Sequence, residues 1–259
     1  MDSGVSCYKT FNLSIERGVA RLQFTRPELH NRFDEPQHTE FAGALNELNR
    51  RRDIRLLMLS ATGKSFSAGG DMDMMLRANR SKELRQQLRD EAAMIFNVLT
   101  AVPFVVLAAV QGAAIGLGAT IVALSDIVVA WRDAKLADPH VQLGLVAGDG
   151  GVIGWSQSIG VMRAKRYLLT GERITAAKAF EFGMVTDLVD EPQQVIPTAE
   201  KIAAMILALP CGGVEGTKRS FARLTQQTAG PVFELSLGYE METFGGQEVR
   251  EAVAAALKK

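Results

Sequence analysis

The feature that most limits how this chain can fold is a stretch without one charged side chain, residues 92–125. It exceeds the ~20 residues that a membrane-spanning helix needs. Pro103, Gln111, Gly112, Gly116 and Gly118 interrupt it at several points, whereas a lipid-exposed span must satisfy its backbone within itself. The stretch resolves better as a buried strand at 104–110, a turn, a buried helix from about Gly116, and a strand at 126–130. That order predicts a parallel β-α-β unit, with functional loops at the carboxyl ends of the strands.

The flanking sequence repeats the alternation. Residues 11–16 and 19–25 alternate about Arg17-Gly18 and predict a β-hairpin, which Arg26-Pro27 ends. Phe41, Ala44, Leu45 and Leu48 have helical spacing within 36–52. IRLLML at 54–59 reads as a buried parallel strand. The glycine-rich TGKSFSAGGDM at 62–72 then reads as a loop, followed by a helix at 82–100. Beyond about Thr175 the composition predicts helices at 176–182, 198–209, 214–227, 232–243 and 248–257, with one strand at 184–189. One αβ core with a helical C-terminal extension is expected, without internal repeats.

Lys+Arg and Asp+Glu balance at 29 each, so no global field draws in nucleic acid or an anionic membrane. The run Arg50-Arg51-Arg52 is flanked by Glu47 and Asp53 and reads as a solvated helix end. Cys7 and Cys211 match no metal or redox spacing, and two isolated thiols fit a reducing compartment. The start MDSGVSCYKTFNLSIE has neither a basic beginning nor an apolar segment, so no signal peptide is expected. The expected location is cytoplasmic.

Several chemistries are disfavoured. No G-x-S-x-G elbow exists around Ser67. His30, His38 and His140 match no H-x-x-x-H spacing, and Asp71 with Asp73 lacks the rest of an EF-hand, so no metal is expected. QGAAIGLG is not a dinucleotide loop. Two glycine clusters remain, Ala68-Gly69-Gly70 and Gly116-Leu117-Gly118, each beyond a buried strand. Small residues let a ligand approach the backbone, and a helix starting near Gly116 offers unpaired N–H groups. Two such donors converging on one point stabilise an enolate or tetrahedral oxyanion; alternatively the glycines only permit tight turns. In DPHVQLGLVAGDGG (138–151), His140 and Asp149 read either as an acid/base pair or as a helix-flanking polar residue and a turn.

The ordered set FSAGGDM, AAVQGAAIGLGATIVALSDIVVA, GLVAGDGG and LLTGERITAAKAFEFGMV resembles the crotonase, or enoyl-CoA hydratase/isomerase, family. The resemblance runs from RPELHN (26–31) to the helices past Thr175. It implies an α/β fold, a crotonase-type spiral of β-β-α units over residues 1–195. Residues 196–259 would then form a helical trimerisation and lid region. It further implies an acyl-CoA substrate, a homotrimer or dimer of trimers, and no cofactor beyond the coenzyme A carried by the substrate. By the same resemblance, the oxyanion donors fall on Ala68 and Leu117. Substrate contacts fall on Phe66, Gly70, Asp71 and Met72, and on Gly116, Thr120 and Pro139.

The departures change the expected chemistry. The two glutamates with which hydratases of the family handle water and the α-proton are Thr120 and His140 here. Imidazole has an intrinsic pKa near 6.5, suited to proton transfer, and Asp149 would orient it. The G-x-x-x-G-D-G-G context resembles a branch of the fold, 6-oxocamphor hydrolase, that cleaves carbon–carbon bonds in β-diketones. In that resemblance His140, Asp149 and Glu242, from LSLGYEMETF, are the matching catalytic residues. The expectation is an acyl-CoA enzyme working through an oxyanion hole and a His/Asp pair. The alternatives are a CoA-independent retro-Claisen hydrolase of β-diketones and an inactive scaffold.

Overall fold

The computed structural model describes residues 8–258, so Cys7 lies outside the described residues. The chain opens with the hairpin of β1 (Phe11–Glu16) and β2 (Val19–Phe24). Its two-residue turn places Arg17 at φ 49° and Gly18 at φ 82°, the left-handed pair that matches the strand twist. Helix α1 (Glu35–Arg50) follows, its first turn capped by the Asp34 carboxylate accepting from the Gln37 N–H. Strand β3 (Leu56–Ala61) is buried at every position, as a parallel strand covered on both faces must be.

The glycine-rich segment is more structured than a loop. It holds a short strand, β4 (Ser65–Ser67), and ends at Asp71, whose side chain caps α2 (Met72–Arg80). Ser81 then caps α3 (Lys82–Ala101). The uncharged stretch folds as the end of α3, then β5 (Val105–Val110), β6 (Ala113–Ile115) and α4 (Leu117–Leu124), leading into β7 (Ile127–Trp131). No single helix among the described residues is long and apolar enough to cross a membrane.

Next come β8 (Lys135–Ala137), α5 (Gly151–Ile159), α6 (Val161–Leu168), β9 (Ile174–Thr175), α7 (Ala176–Phe182) and β10 (Asp187–Val189). The strands form two sheets. One has the order β1-β2-β3-β5-β7-β10 and is parallel from β2 onward; the other is β4-β6-β8-β9. Strand pairs alternate between the sheets, β3 then β4, β5 then β6, β7 then β8. Each turn of this spiral therefore delivers a loop to the same edge.

The C-terminal helices are α8 (Val195–Leu207), α9 (Cys211–Phe244) and α10 (Gln247–Ala256). The expected helices at 214–227 and 232–243 are one helix that runs through Pro231. An interior proline costs about 3 kcal/mol through a lost hydrogen bond and a clash. Packing overrides it: Ala229, Phe233 and Leu237 are buried in the main core, and Phe233 stacks on Phe96 of α3 at 3.8 Å. On the opposite face of the large sheet, α8 buries Val195, Ala199 and Ala203 against Leu56, Leu107 and Val129.

Candidate active site

The two glycine clusters come into contact. Gly69 stands at φ +83°, and a methyl group on it would lie 2.8 Å from the Ile115 carbonyl oxygen. Gly116, at φ +53°, faces back toward Gly69 and toward the His140 ring, whose Cε1 would be 3.8 Å from a methyl group there. Glycine is required at Gly69 by conformation and by space, and at Gly116 by conformation. The 26–31 segment fastens this arrangement, because the Asn31 amide donates to the Thr62 and Ser65 carbonyls, both at 2.9 Å.

Which backbone N–H groups remain open is decided by their acceptors. The Ala68 N–H donates to the His30 carbonyl at 3.0 Å, so the expected donor at Ala68 is already spent. The Gly69 N–H donates to Ser67 Oγ at 3.2 Å. The Gly70 N–H has no acceptor among the described residues, since its bridge to Phe33 uses the Gly69 carbonyl and the Asp71 N–H instead. Leu117, the first residue of α4, has a free N–H because a helix supplies no partner to its first turn. The open pair is Gly70 and Leu117, on adjoining loops.

His140 begins a single 3₁₀ turn, His140–Leu143, preceded by the partly buried Pro139. Its Nδ1 is hydrogen-bonded to Asp138 Oδ1, an aspartate not singled out from the sequence. Asp149 stands on the other side, with Oδ2 3.9 Å from His140 Nε2. That separation is too long for a hydrogen bond. Asp149 Oδ1 accepts from Thr120 Oγ1 at 2.9 Å, so Thr120 holds the aspartate in place. Glu240 Oε1, reaching down from α9, is also 3.9 Å from Nε2. All four groups are buried. Gly148 lets α9 come this close, since a methyl group there would collide with the Ser236 carbonyl and sit 2.7 Å from Glu240 Cβ.

Three carboxyl groups around one imidazole cannot all ionise in a buried site without large cost. Burial disfavours the His140 cation, but the Asp138 charge and hydrogen bond, then Asp149 and Glu240, raise its pKa well above the ordinary range. Burial, with further repulsion from Asp138, raises Asp149 against the pull of His140. Burial and repulsion from Asp149 push Glu240 up to about 8. The cluster is proton-rich at neutral pH, with Nε2 as the imidazole edge left without a direct protein partner. Asp138, His140 and Asp149 also bring ligand atoms within 4.8 Å of one another, a spacing that admits a metal ion. The hydrogen bond to Asp138 already occupies Nδ1, leaving Nε2 for such an ion.

Other expected site residues have structural positions. Phe66 is fully buried and packs edge-on against Phe24 at 5.7 Å, so it belongs to the core. Asp71 caps α2 through the Met74 N–H at 2.7 Å and pairs with Arg32 at 2.8 Å. Met72 is half-buried beside the cluster of α2 and α10. Glu242 is exposed; Glu240, two residues earlier, is the glutamate that reaches His140. Helical phase is the signal that separates them. Phe233, Ser236, Leu237, Glu240 and Phe244 form the buried face of α9, and Glu242 lies about 200° round from Glu240 on a helix of 3.6 residues per turn. Asp138 could have been found from its place two residues before the histidine in Asp-Pro-His, where a short aspartate bonds locally.

Comparison with known proteins now gives this geometry a context. A family model described as enoyl-CoA hydratase/isomerase matches residues 14–259. The chain belongs to the enoyl-CoA hydratase/isomerase family. The 1,2-epoxyphenylacetyl-CoA isomerase of Escherichia coli (strain K12) is 30% identical over 95% of this chain and 94% of its own. The crotonyl-CoA hydratase of Syntrophomonas wolfei is also 30% identical, over 97% of this chain and 96% of its own. A crystal structure of an enoyl-CoA hydratase/isomerase from Mycobacterium paratuberculosis matches with a TM-score of 0.90 at 32% identity, covering 96% of this chain and 99% of that one. The spiral of paired strands is thus the crotonase fold. In this family member, Thr120 and His140 lie at the centre of the candidate site, with Asp138, Asp149 and Glu240 around the imidazole.

Proposed function

We propose that this enzyme forms and protonates an enolate of an acyl-CoA thioester. The Gly70 and Leu117 N–H groups would receive the thioester oxygen, and His140 Nε2 would exchange the α-proton. The observation that carries this reading is the contact of Gly69 with Gly116 beside the His140 ring, with the open Gly70 and Leu117 N–H groups on the residues that follow each glycine. Donors fixed before the reaction stabilise developing charge without reorganising. Asp138 acts as the positioning residue: its bond to Nδ1 holds the ring so that Nε2 is the edge turned to the substrate. Thr120 holds Asp149 and has no group that titrates near neutrality, so hydration by a glutamate pair is not the reaction. Coenzyme A arrives with the substrate, and no resident cofactor is assigned.

The exposed apolar stripe on α9, with Leu224, Val232, Leu235 and Tyr239, recurs at helical spacing and supports assembly of copies through residues 196–259 as a trimer or dimer of trimers. Cytoplasmic location remains part of the same proposal.

The test is exchange of the acyl-CoA α-proton in D₂O, followed by NMR. Wild type exchanges it, and His140→Ala loses about 10²-fold or more. Coenzyme A also raises the melting temperature by binding the native state. Absence of both the exchange and the thermal shift would overturn the reading. A second reading is favoured by the 3.9 Å gaps between Nε2 and both Asp149 and Glu240. In it, His140 activates water for retro-Claisen cleavage of a β-diketone, and turnover needs no coenzyme A. Cleavage of a diketone panel without exchange of acyl-CoA would select it.

A further inference from the structure

A cleft of about 810 Å³ runs between the core and the first half of α9. It is separate from the catalytic cluster, and Asp138, His140, Asp149 and Glu240 take no part in its wall. Helices α4 and α9 run past both regions. Thr120 holds Asp149, and Leu124, four residues on, lines the cleft, a rise of about 6 Å. The volume falls within the ~300–1,000 Å³ of small-molecule sites.

The wall is mainly apolar, with Leu99, Leu124, Met184, Ile206 and Phe221. Its hydroxyl donors are largely spent on backbone carbonyls. Thr100 donates to Phe96 at 2.8 Å, Ser125 to Ile121 at 2.9 Å, Thr186 to Val128 at 3.0 Å and Thr217 to Gly213 at 2.8 Å. Lys218 differs. Its side chain is 7% exposed, and its ammonium gives one bond to Asp126 Oδ1 at 2.7 Å. An ammonium carries three donors, and no second acceptor for it exists among the described residues. Asp126 is held from behind, because its Oδ2 accepts the Val106 N–H at 2.8 Å.

This arrangement selects the ligand's head group. Lys218 and Asp126 are the charged residues of the wall. A carboxylate at Lys218 would stand beside the Asp126 carboxylate, whereas a carbonyl oxygen accepts the spare donor without adding like charge. We propose that the cleft binds a neutral, mainly apolar molecule with one carbonyl, a medium-chain ketone, whose oxygen accepts from Lys218 Nζ. The assignment is independent of the reaction at His140.

Calorimetric titration of the full-length protein with medium-chain methyl ketones, and with fatty acids of equal length, tests it. Saturable ketone binding is expected, tightening about three- to fourfold per added methylene until the cleft is full. Ketones should bind more tightly than the acids. Ala222→Trp fills the cleft and should weaken binding at least about tenfold, since tenfold is about 1.4 kcal/mol. Thr217→Trp, at an exposed wall position, serves if Ala222→Trp does not fold. Lys218→Met should cost about tenfold for the ketone, and Asp126→Asn should shift preference toward the acid. No saturable ketone binding, binding that survives both tryptophan variants, or a wild-type preference for the acid would each overturn the proposal.

Discussion

Among the described residues, two buried histidines pair with carboxyl groups, and they differ in how many carboxyl groups each meets. His38 of α1 bonds through Nδ1 to Glu91 of α3 at 2.8 Å. Thr39 and Gln87 donate to the same glutamate at 2.6 and 3.0 Å. One imidazole meets one carboxylate whose oxygens are supplied with donors, and the pair ties two helices together. His140 meets three carboxyl groups, and Glu240 Oε2 and Asp138 Oδ2 have no hydrogen-bond partner among the described residues. Burial is similar for the two histidines, so burial alone does not make a histidine functional. An excess of acid sets His140 apart, because it raises pKa values and leaves one imidazole edge uncommitted.

The largest expected effect separates the pairs by activity. His140→Ala should lower turnover by about 10²–10⁴-fold, the range for a proton-transfer group, measured on the folded fraction. His38→Ala should do the reverse, lowering the melting temperature while kcat/KM stays within about twofold. Equal losses of turnover in both variants would collapse the distinction.

The pairs should also give stability opposite slopes with pH. His140, Asp149 and Glu240 all have raised pKa values in the fold. The folded cluster therefore binds more protons than the unfolded chain, and its contribution is lost as pH rises. For Glu240 that loss spans its ordinary value of 4.5 to about 8. In Glu240→Gln the melting temperature should fall less across this window, and the variant should gain on wild type toward its alkaline end. A wild-type slope of unchanged size in Glu240→Gln would mean the glutamate is not held neutral.

Glu91 is the opposite case and a smaller one. Burial opposes its charge, but hydrogen bonds from His38, Thr39 and Gln87 outweigh burial and hold its pKa below the usual value. Its contribution is present above the unfolded pKa and lost as pH falls through the folded one. Glu91→Gln should therefore flatten the acid side of the stability curve and leave the alkaline side alone. A change on the alkaline side instead would reverse the assignment.

The sequence carried the fold further than it carried the site, for a physical reason. Apolar runs such as 56–61 and 105–110 announce themselves because both faces are buried, and the hairpin shows in its Arg17-Gly18 turn. The second sheet was not legible, since β4, β6 and β8 span only three residues each and alternation needs more. Its strands are defined by partners distant in sequence. Within the candidate site, His140 and Asp149 stand out in the sequence, whereas their spacing from Asp138 and Glu240 does not. That the Ala68 N–H is bonded while the Gly70 N–H is open was not legible, because the difference lies in a carbonyl supplied by His30 from another loop. Local propensity also misleads at Pro231, a breaker by its chemistry, where core packing carries α9 through the proline.

The smallest effect belongs to Glu242, and it sharpens the comparison because it lies two residues from Glu240 on the same helix. Glu240 points into the cluster from the buried face of α9, whereas Glu242 is exposed about 200° away around the axis. An exposed glutamate away from the site contributes within about ±0.5 kcal/mol to stability. Glu242→Gln should leave the melting temperature, kcat and the pH profile at wild-type values, while Glu240→Gln moves the pH profile. The two substitutions make the same chemical change two residues apart on one helix, so helix propensity cancels in the comparison. What remains is position relative to His140. If Glu242→Gln altered the pH profile as strongly as Glu240→Gln, α9 would have to sit rotated over the site, and the excess of acid around His140 would be built from a different glutamate.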